Sequence, residues 1–158
     1  MDDIYTKPGH LFRRMQQIAV AMFMEECKGF DITPVQYAAL VGIRGNPGID
    51  ATGLSAIIAF DRSTLGSVIE RLEAKGLVER KAGPTDRRIK LLYLTKAGAK
   101  ELQHVEPYVS HAQSRMIEVL KPSDRKTLLV LMARLVDLNN ETSRAPLRAL
   151  ARRATAKD

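Results

Sequence analysis

The chain has few of the residues that build disulfide frameworks or membrane spans. It contains a single cysteine and no tryptophan, so an internal disulfide is excluded. No stretch approaches the roughly 18 consecutive apolar residues of a membrane span. No apolar run follows a basic N-terminus, as it would in a secretion signal. We therefore expect a soluble, cytoplasmic protein with no membrane partner.

Acidic residues are also fewer than basic residues. The 158 residues include 25 Lys and Arg against 18 Asp and Glu, a net charge of +7. Such an excess favours an acidic partner such as nucleic acid. More than half of it lies in residues 144–158, so charge alone does not establish DNA binding.

Three long helices are predicted, one before and two after the central region. The first runs from Pro8 to about Lys28, where Gly29 stops it. The second runs from about Lys96 toward Leu120, and Pro107 should kink or divide it. A strongly apolar helix follows Lys121-Pro122-Ser123. The apolar arcs of the first and last helices are wider than one chain can bury, which predicts pairing between two copies.

The central segment predicts a helix-turn-helix. Thr33-Pro34-Val35-Gln36 has the pattern of a capping box with proline at the first helical position. Asp50 and Asp61 can each cap a further short helix, and Gly76 ends the second of them. The inner face of that second helix is formed by Leu65, Val68, Ile69 and Leu72.

The outer face of the same helix carries side chains suited to nucleic acid. They are Arg62, Ser63, Thr64, Ser67, Arg71 and Lys75. Most lie near the helix N-terminus, where unpaired amides and the helix dipole attract anions. The hydroxyls are expected to read base edges, and Arg71 and Lys75 to position the helix on phosphates. An ordinary solvated face remains the alternative.

Two strands follow, from Leu77 to Ala82 and from Ile89 to Leu94, and Thr95 is predicted to cap the next helix. The segment that joins the strands places Asp86 beside Arg87 and Arg88. An acid at a basic tip is either an exposed turn pair worth about 0 to 1 kcal/mol or a brace for an arginine.

Three segments make the overall pattern specific. They are Asp61-Arg62-Ser63-Thr64, the stretch from Arg71 to Val78, and the tip Asp86-Arg87-Arg88 followed by Leu94-Thr95-Lys96-Ala97-Gly98. Over about residues 8–140 the chain resembles the MarR family of bacterial transcription regulators. The resemblance implies a mainly α fold with a small β-hairpin in one chain, 1–158. Its parts would be a winged helix-turn-helix lobe at 33–95, dimerisation helices at 8–30 and 96–143, and a basic tail at 144–158.

The resemblance also implies a mechanism. In that family the acid of the tip orders its arginine for the DNA minor groove, which assigns these roles to Asp86 and Arg88. Ordering an arginine beforehand removes up to about 2 kcal/mol of rotamer entropy from the cost of docking. A homodimeric repressor on a pseudo-palindromic DNA operator is therefore expected. No catalytic constellation or glycine-rich phosphate loop is present in motif form, so an enzyme is not expected.

Effectors of the family are small aromatic acids, phenols and related compounds, bound between the dimer helices and the DNA-binding lobe. The segment from Thr33 to Leu40 is similar to regulators of aromatic-acid catabolism, whose effectors include aromatic acids and their coenzyme A thioesters. The candidate ligand-binding residues are His10, Arg14, Met15, Gln17, Met22, Phe23, Tyr37, Tyr108 and His111. Core or interface packing is the alternative role for the methionines and histidines.

Two further candidate sites are weak. Cys27 is either a peroxide sensor or a buried thiol at a helix end, and the second is favoured because no other cysteine can resolve a disulfide. His104 and His111 with Glu106 make a poor metal set because Pro107 disturbs their spacing. We predict no metal and no cofactor.

The basic tail and the function class leave alternatives open. The tail could form a short helix after Pro146 that docks by Leu147 and Leu150, contact DNA, or remain a loose segment. The chain could also be an architectural DNA-binding protein of weak specificity, or a winged helix that binds another protein.

Overall fold

A computed structural model describes residues 3–148, in which six α-helices and three short strands form. The helices are α1 (Pro8–Glu26), α2 (Pro34–Gly45), α3 (Ala51–Ile58), α4 (Arg62–Ala74), α5 (Lys96–Ile117) and α6 (Pro122–Asn139). The strands are β1 (Ile49–Asp50), β2 (Val78–Ala82) and β3 (Lys90–Leu94). The mainly helical winged helix-turn-helix order is confirmed. None of the helices within residues 3–148 combines the length and apolar character that a membrane crossing requires.

Two compact units divide the chain. The first unit comprises the chain up to Pro34 together with residues 103–131, and the second comprises Val35–Leu102 together with the chain from Met132 onward. The second unit contains the helix-turn-helix and the sheet. The first contains all of α1 and most of α5.

The sheet of the second unit has three antiparallel strands in the order β1-β3-β2. β2 and β3 form the predicted hairpin, with Val78 opposite Leu94 and Ala82 opposite Lys90. A third strand was not predicted: β1 adds to the free edge of β3 by placing Ile49 opposite Leu92. A two-residue strand is too short to show an alternating pattern in the sequence.

The helix-turn-helix is fixed by its caps and its core. Asp50 accepts a hydrogen bond from the Gly53 amide at 2.7 Å, and Asp61 accepts one from the Ser63 amide at 2.9 Å. Both predicted caps are confirmed. The largest buried side chains of this unit are Leu40, Ile43, Leu54, Leu65, Ile69, Leu72, Leu92 and Leu102. Since each contributes about 1.5 to 3 kcal/mol on burial, they hold α4 in place and leave its other face outside.

The turn from β3 into α5 explains the glycine of the Leu94 to Gly98 segment. The Thr95 hydroxyl donates to the Gly76 carbonyl at 2.6 Å and accepts from the Gly98 amide at 3.0 Å, as the predicted cap requires. A Cβ atom added to Gly98 would lie 2.0 Å from the Leu77 carbonyl oxygen. The backbone of α5 can therefore approach Leu77 only without a side chain at this position.

We expect Gly98→Ala to lower the free energy of unfolding by about 1 to 3 kcal/mol, because the added methyl must displace backbone. Urea unfolding measures the change. Gly66→Ala is the matched control, since a Cβ at Gly66 meets nothing within 4 Å and alanine raises helix stability by about 0.5 to 1 kcal/mol. Equal effects at the two glycines would contradict the packing described at Leu77.

The first unit has a smaller core. Its buried apolar side chains are Phe23, Cys27, Ile32, Val105, Val109 and Ala112. α5 continues through Pro107 without a break, so division into two helices does not occur. At the end of α5, the Arg125 guanidinium donates to the carbonyls of Leu120 at 2.7 Å and Glu118 at 2.6 Å, which fixes the turn into α6.

Candidate DNA-binding surface and effector cleft

The start of α4 presents an open polar surface that a three-residue turn positions. The turn from Ala59 to Asp61 joins α3 to α4, and Ala59 takes a left-handed conformation at φ 50°. Asp61 then accepts from the Ser63 hydroxyl and from the backbone amides of Ser63 and Thr64. These bonds, the Ser63 hydroxyl first, lower the pKa of the Asp61 carboxyl. The carboxylate fixes the first turn of α4.

Five of the six predicted residues on α4 share its exposed face, namely Arg62, Ser63, Thr64, Ser67 and Arg71. The sixth, Lys75, lies at the C-terminal end of the helix and is half-buried. Its ammonium group is 3.4 Å from Oε1 of the buried Gln36. This contact gives Lys75 a structural partner within its own unit and separates it from the open surface.

The tip between β2 and β3 is exposed from Pro84 to Arg88. Asp86 Oδ1 accepts a hydrogen bond from the backbone amide of Arg88 at 2.9 Å, and the Asp86 carbonyl accepts from the Ile89 amide at 3.2 Å. In the described structure the carboxylate does not contact the Arg88 guanidinium, so the expected bond to that group stays a prediction for the DNA-bound tip. The Asp86 side chain stabilises the backbone of the tip through its hydrogen bond to the Arg88 amide, as aspartate does in an Asx-turn.

Ion pairs sort the basic residues of the second unit into two groups. Arg80 Nε lies 2.9 Å from Glu73 Oε2, and Lys81 Nζ lies 2.7 Å from Glu79 Oε1. Within residues 3–148 no ion pair forms at four arginines of this unit, namely Arg62, Arg71, Arg87 and Arg88, nor at Lys90, Lys96 and Lys100. The four arginines lie on α4 and at the tip, where their exposed guanidinium groups can meet an anionic backbone.

The predicted ligand-binding residues of α1 do not converge on one site. Phe23 is 3% exposed and belongs to the core, so it offers little surface to a ligand and its ligand role stays a prediction. His10 packs edge-on against Tyr5, with ring centroids 5.4 Å apart. The Arg14 guanidinium donates to Gln17 at 3.0 Å. Met15 is 37% exposed, and Met22 is half-buried.

His111 joins a charged cluster that sequence reasoning missed. Its Nδ1 lies 2.8 Å from Glu26 Oε2, and the Arg115 guanidinium contacts Glu26 and also Glu25, the latter at 3.1 Å. The hydrogen bond from His111 and then that from Arg115 lower the pKa of the Glu26 carboxyl. The cluster joins α1 to α5, and its partners are too far apart in sequence to form a local pattern.

Tyr108 lines an open cleft of about 510 Å³ in the first unit. The other lining residues are Phe30, Gln103, His104 and Pro107. The rings of Phe30 and Tyr108 are 5.1 Å apart and tilted by 58°. Of the predicted ligand-binding residues, only Tyr108 lies here. The cleft is open to solvent and offers stacking surfaces together with amide and imidazole groups.

The remaining predicted residues take other positions. Tyr37 is half-buried in the second unit. Cys27 is 2% exposed at the end of α1, and burial raises the pKa of its thiol, which disfavours the reactive thiolate. The predicted buried thiol at a helix end is confirmed.

The basic tail contacts α3 at Arg148, the last described residue. The Arg148 amide donates to the Ala56 carbonyl of α3 at 2.9 Å, while its guanidinium holds Glu141 at 2.7 Å. Residues 146–148 form no helix. The predicted docking of Leu150 and the rest of the basic tail lie outside the described residues.

Known proteins share this arrangement. A sequence model of the MarR family matches residues 30–89. A proposed transcriptional regulatory protein for the hcr operon of Thauera aromatica is 35% identical over 111 residues, 70% of this chain and 67% of that protein. The relatives are regulators and not enzymes.

Two solved structures are similar along most of the chain. BpsR of Bordetella bronchiseptica, whose DNA binding is regulated by 6-hydroxynicotinic acid, superposes with a TM-score of 0.79 at 28% identity, covering 84% of this chain and 95% of that one. The transcriptional repressor CouR, bound to a 23-mer DNA duplex, gives a TM-score of 0.76 at 27% identity over 82% and 92% of the two chains. The sequence segments, the fold and these relatives agree: the chain is a transcriptional regulator of the MarR family.

Proposed function

We propose that the chain is a homodimeric repressor that binds a pseudo-palindromic DNA operator and leaves it when an aromatic acid, or its coenzyme A thioester, binds. The observation that carries the DNA-binding half is the set of exposed arginines on α4 and at the tip that form no ion pair in the described part of the chain. Both surfaces belong to one compact unit. α4 would enter the major groove and the tip the flanking minor groove.

Exposed apolar side chains on α6 support the dimer. Six of them are between 48% and 73% exposed, namely Leu129, Val130, Leu131, Leu135, Val136 and Leu138. An apolar surface of this kind on a folded chain usually marks an interface. Leu11 and Phe12 of α1 are also more than half exposed. A second copy of the chain would cover these helices and set the distance between two α4 helices.

Two-fold symmetry then predicts the operator. Half-sites should lie about one helical turn apart, roughly 10 bp, or a multiple of it. On the α4 surface, Ser63, Thr64 and Ser67 would read bases, while Arg62 and Arg71 would hold phosphates or base edges. At the tip, Arg88 would enter the minor groove, and Arg87 would lie beside the phosphates.

The cleft at Tyr108 supports an aromatic effector. An aromatic ring can pack against Tyr108 and Phe30, since offset and edge-on ring contacts contribute about 0.5 to 1.5 kcal/mol beyond burial. A carboxylate on that ring can accept hydrogen bonds from Gln103 or His104. BpsR, whose DNA binding responds to an aromatic acid, makes this class of effector the first to test.

We expect a benzoate-type acid or its thioester to raise the melting temperature and to release the protein from its operator. At a ligand concentration 100 times Kd, the expected stabilisation is about 2.7 kcal/mol. Tyr108→Ala should lose both responses. Tyr5→Ala is the control, because Tyr5 is an exposed tyrosine that does not line the cleft. No thermal shift with any such acid or thioester would remove the aromatic effector from the proposal, and an unchanged response in Tyr108→Ala would remove the cleft.

A further inference from the structure

Two serines on the open face of α4 have their hydroxyl protons committed to groups of the protein. Ser63 Oγ donates to the Asp61 carboxylate, and Ser67 Oγ donates to the Thr64 carbonyl at 2.9 Å. A carboxylate and a carbonyl only accept hydrogen bonds, so the direction of both bonds is fixed. A serine hydroxyl has one proton and two lone pairs. Each serine therefore has only lone pairs left for DNA.

We propose that Ser63 and Ser67 act as hydrogen-bond acceptors that recognise exocyclic amino groups in the major groove. Those groups are the N6 amine of adenine and the N4 amine of cytosine, which are the only donors that base edges present there. The proposal rests on the proposed entry of α4 into that groove. It adds the chemical class of atom that each serine reads.

The Asp61 carboxylate makes reversal of the Ser63 hydroxyl unfavourable. Turning the proton toward a base would exchange a hydrogen bond to a carboxylate for one to a neutral acceptor, and charge-assisted bonds are about twice as strong. The same carboxylate oxygen also holds the amides of Ser63 and Thr64 at 2.9 and 3.2 Å, so it cannot turn away without opening the first turn of α4.

The other polar side chains of α4 differ from the two serines in the hydrogen-bond roles that they can take. Arg62 and Arg71 can only donate, which suits the N7 and O6 acceptors of guanine. The Thr64 side chain also interacts with the Asp61 carboxylate, but this is the weakest of the hydrogen bonds at that carboxylate, so its hydroxyl is less restricted than that of Ser63. Thr64 therefore serves for comparison with the two serines.

Operators with single modified bases test the proposal. Bound sequences are first selected from random DNA with the wild-type protein. Within the selected operator, N6-methyladenine or N4-methylcytosine then replaces each major-groove N–H by a methyl group while base pairing is kept. In a parallel series, 7-deazapurines remove the N7 acceptor. Affinity is measured for the wild type, Ser63→Ala, Ser67→Ala and Thr64→Ala, after their melting temperatures show that each variant folds.

We expect methylation at particular amines to weaken wild-type binding by about 2- to 10-fold, the range of one hydrogen bond. Ser63→Ala should abolish the sensitivity at one amine, Ser67→Ala should abolish it at another, and Thr64→Ala should leave both. The proposal is overturned if a serine variant removes sensitivity to a 7-deazapurine, or if neither variant changes sensitivity at any amine. If the wild type selects no sequence at all, the proposed function fails first and this inference falls with it.

Discussion

Replacing Leu135 by lysine should leave the chain monomeric in dilute solution and weaken operator binding by about 10²- to 10⁴-fold. Leu135 is 48% exposed on α6, and Leu131 and Leu138 on the same side of that helix are 53% and 73% exposed. Charge at this position would have to be buried when a second copy covers the helix, and burying an unpaired charge is costly. Loss of the second half-site removes the gain in effective concentration that links two binding events, which gives the expected range.

Sedimentation and operator titration measure the two effects. Ser123→Lys is the matched control, because it adds the same charge at an exposed position of α6 whose neighbours one turn on, Lys126 and Thr127, are polar. The control should remain dimeric and bind as the wild type does. A dimeric Leu135→Lys protein would show that α6 does not form the interface. A monomeric variant with unchanged affinity would show that DNA binding does not need the pair.

Arg88→Ala should weaken operator binding by at least about 30-fold. Removing an arginine that bonds to a base edge costs about 1 to 3 kcal/mol, and each dimer carries two substituted tips. The narrow minor groove concentrates negative potential where an inserted arginine lies. The slope of log affinity against log salt should also decrease in magnitude, by about 0.9 for each phosphate that the variant no longer neutralises. A Lys81→Ala variant serves for comparison, since Lys81 already pairs with Glu79 and lies 4.9 Å from the Tyr93 ring centroid.

Asp86 gives this prediction a second test. Because its Oδ1 accepts from the Arg88 amide, Asp86→Asn keeps the acceptor and should bind DNA nearly as well as the wild type. Asp86→Ala removes the acceptor and should weaken binding. Equal losses in both variants would favour a direct bond between the carboxylate and the guanidinium on DNA. Unchanged binding in Arg88→Ala would remove the tip from the proposed interface.

The structural features that could be predicted from the sequence are those whose residues lie close together along the chain. The caps at Asp50, Asp61 and Thr95 lie within three residues of the amides they hold, and their patterns were sufficient to predict them. The inner face of α4 followed from helical spacing. The tip was predicted in position, but the Arg88 backbone amide that its carboxylate holds was not, because an aspartate can bond either to a nearby backbone amide or to a side chain.

Contacts between residues that lie far apart in the sequence were not predicted. The cleft pairs Phe30 with Tyr108, and the charged cluster pairs Glu26 with His111. Neither pair has a spacing that could reveal it. Strand β1 was missed because two residues carry no periodicity. Phe23 was assigned to a ligand because an aromatic on an amphipathic helix can face either a core or a site, and burial decided for the core.

Selecting bound sequences from random DNA tests the central claim most directly. If two copies of the chain place matched α4 helices and tips on one duplex, the enriched sequences will contain an inverted repeat with half-site centres about 10 bp, or a multiple of that, apart. Arg88→Ala will lose preference at the bases that flank each half-site. Enrichment of an unrepeated motif, or no enrichment above the random pool, would contradict the symmetric repressor and favour a weakly specific architectural role.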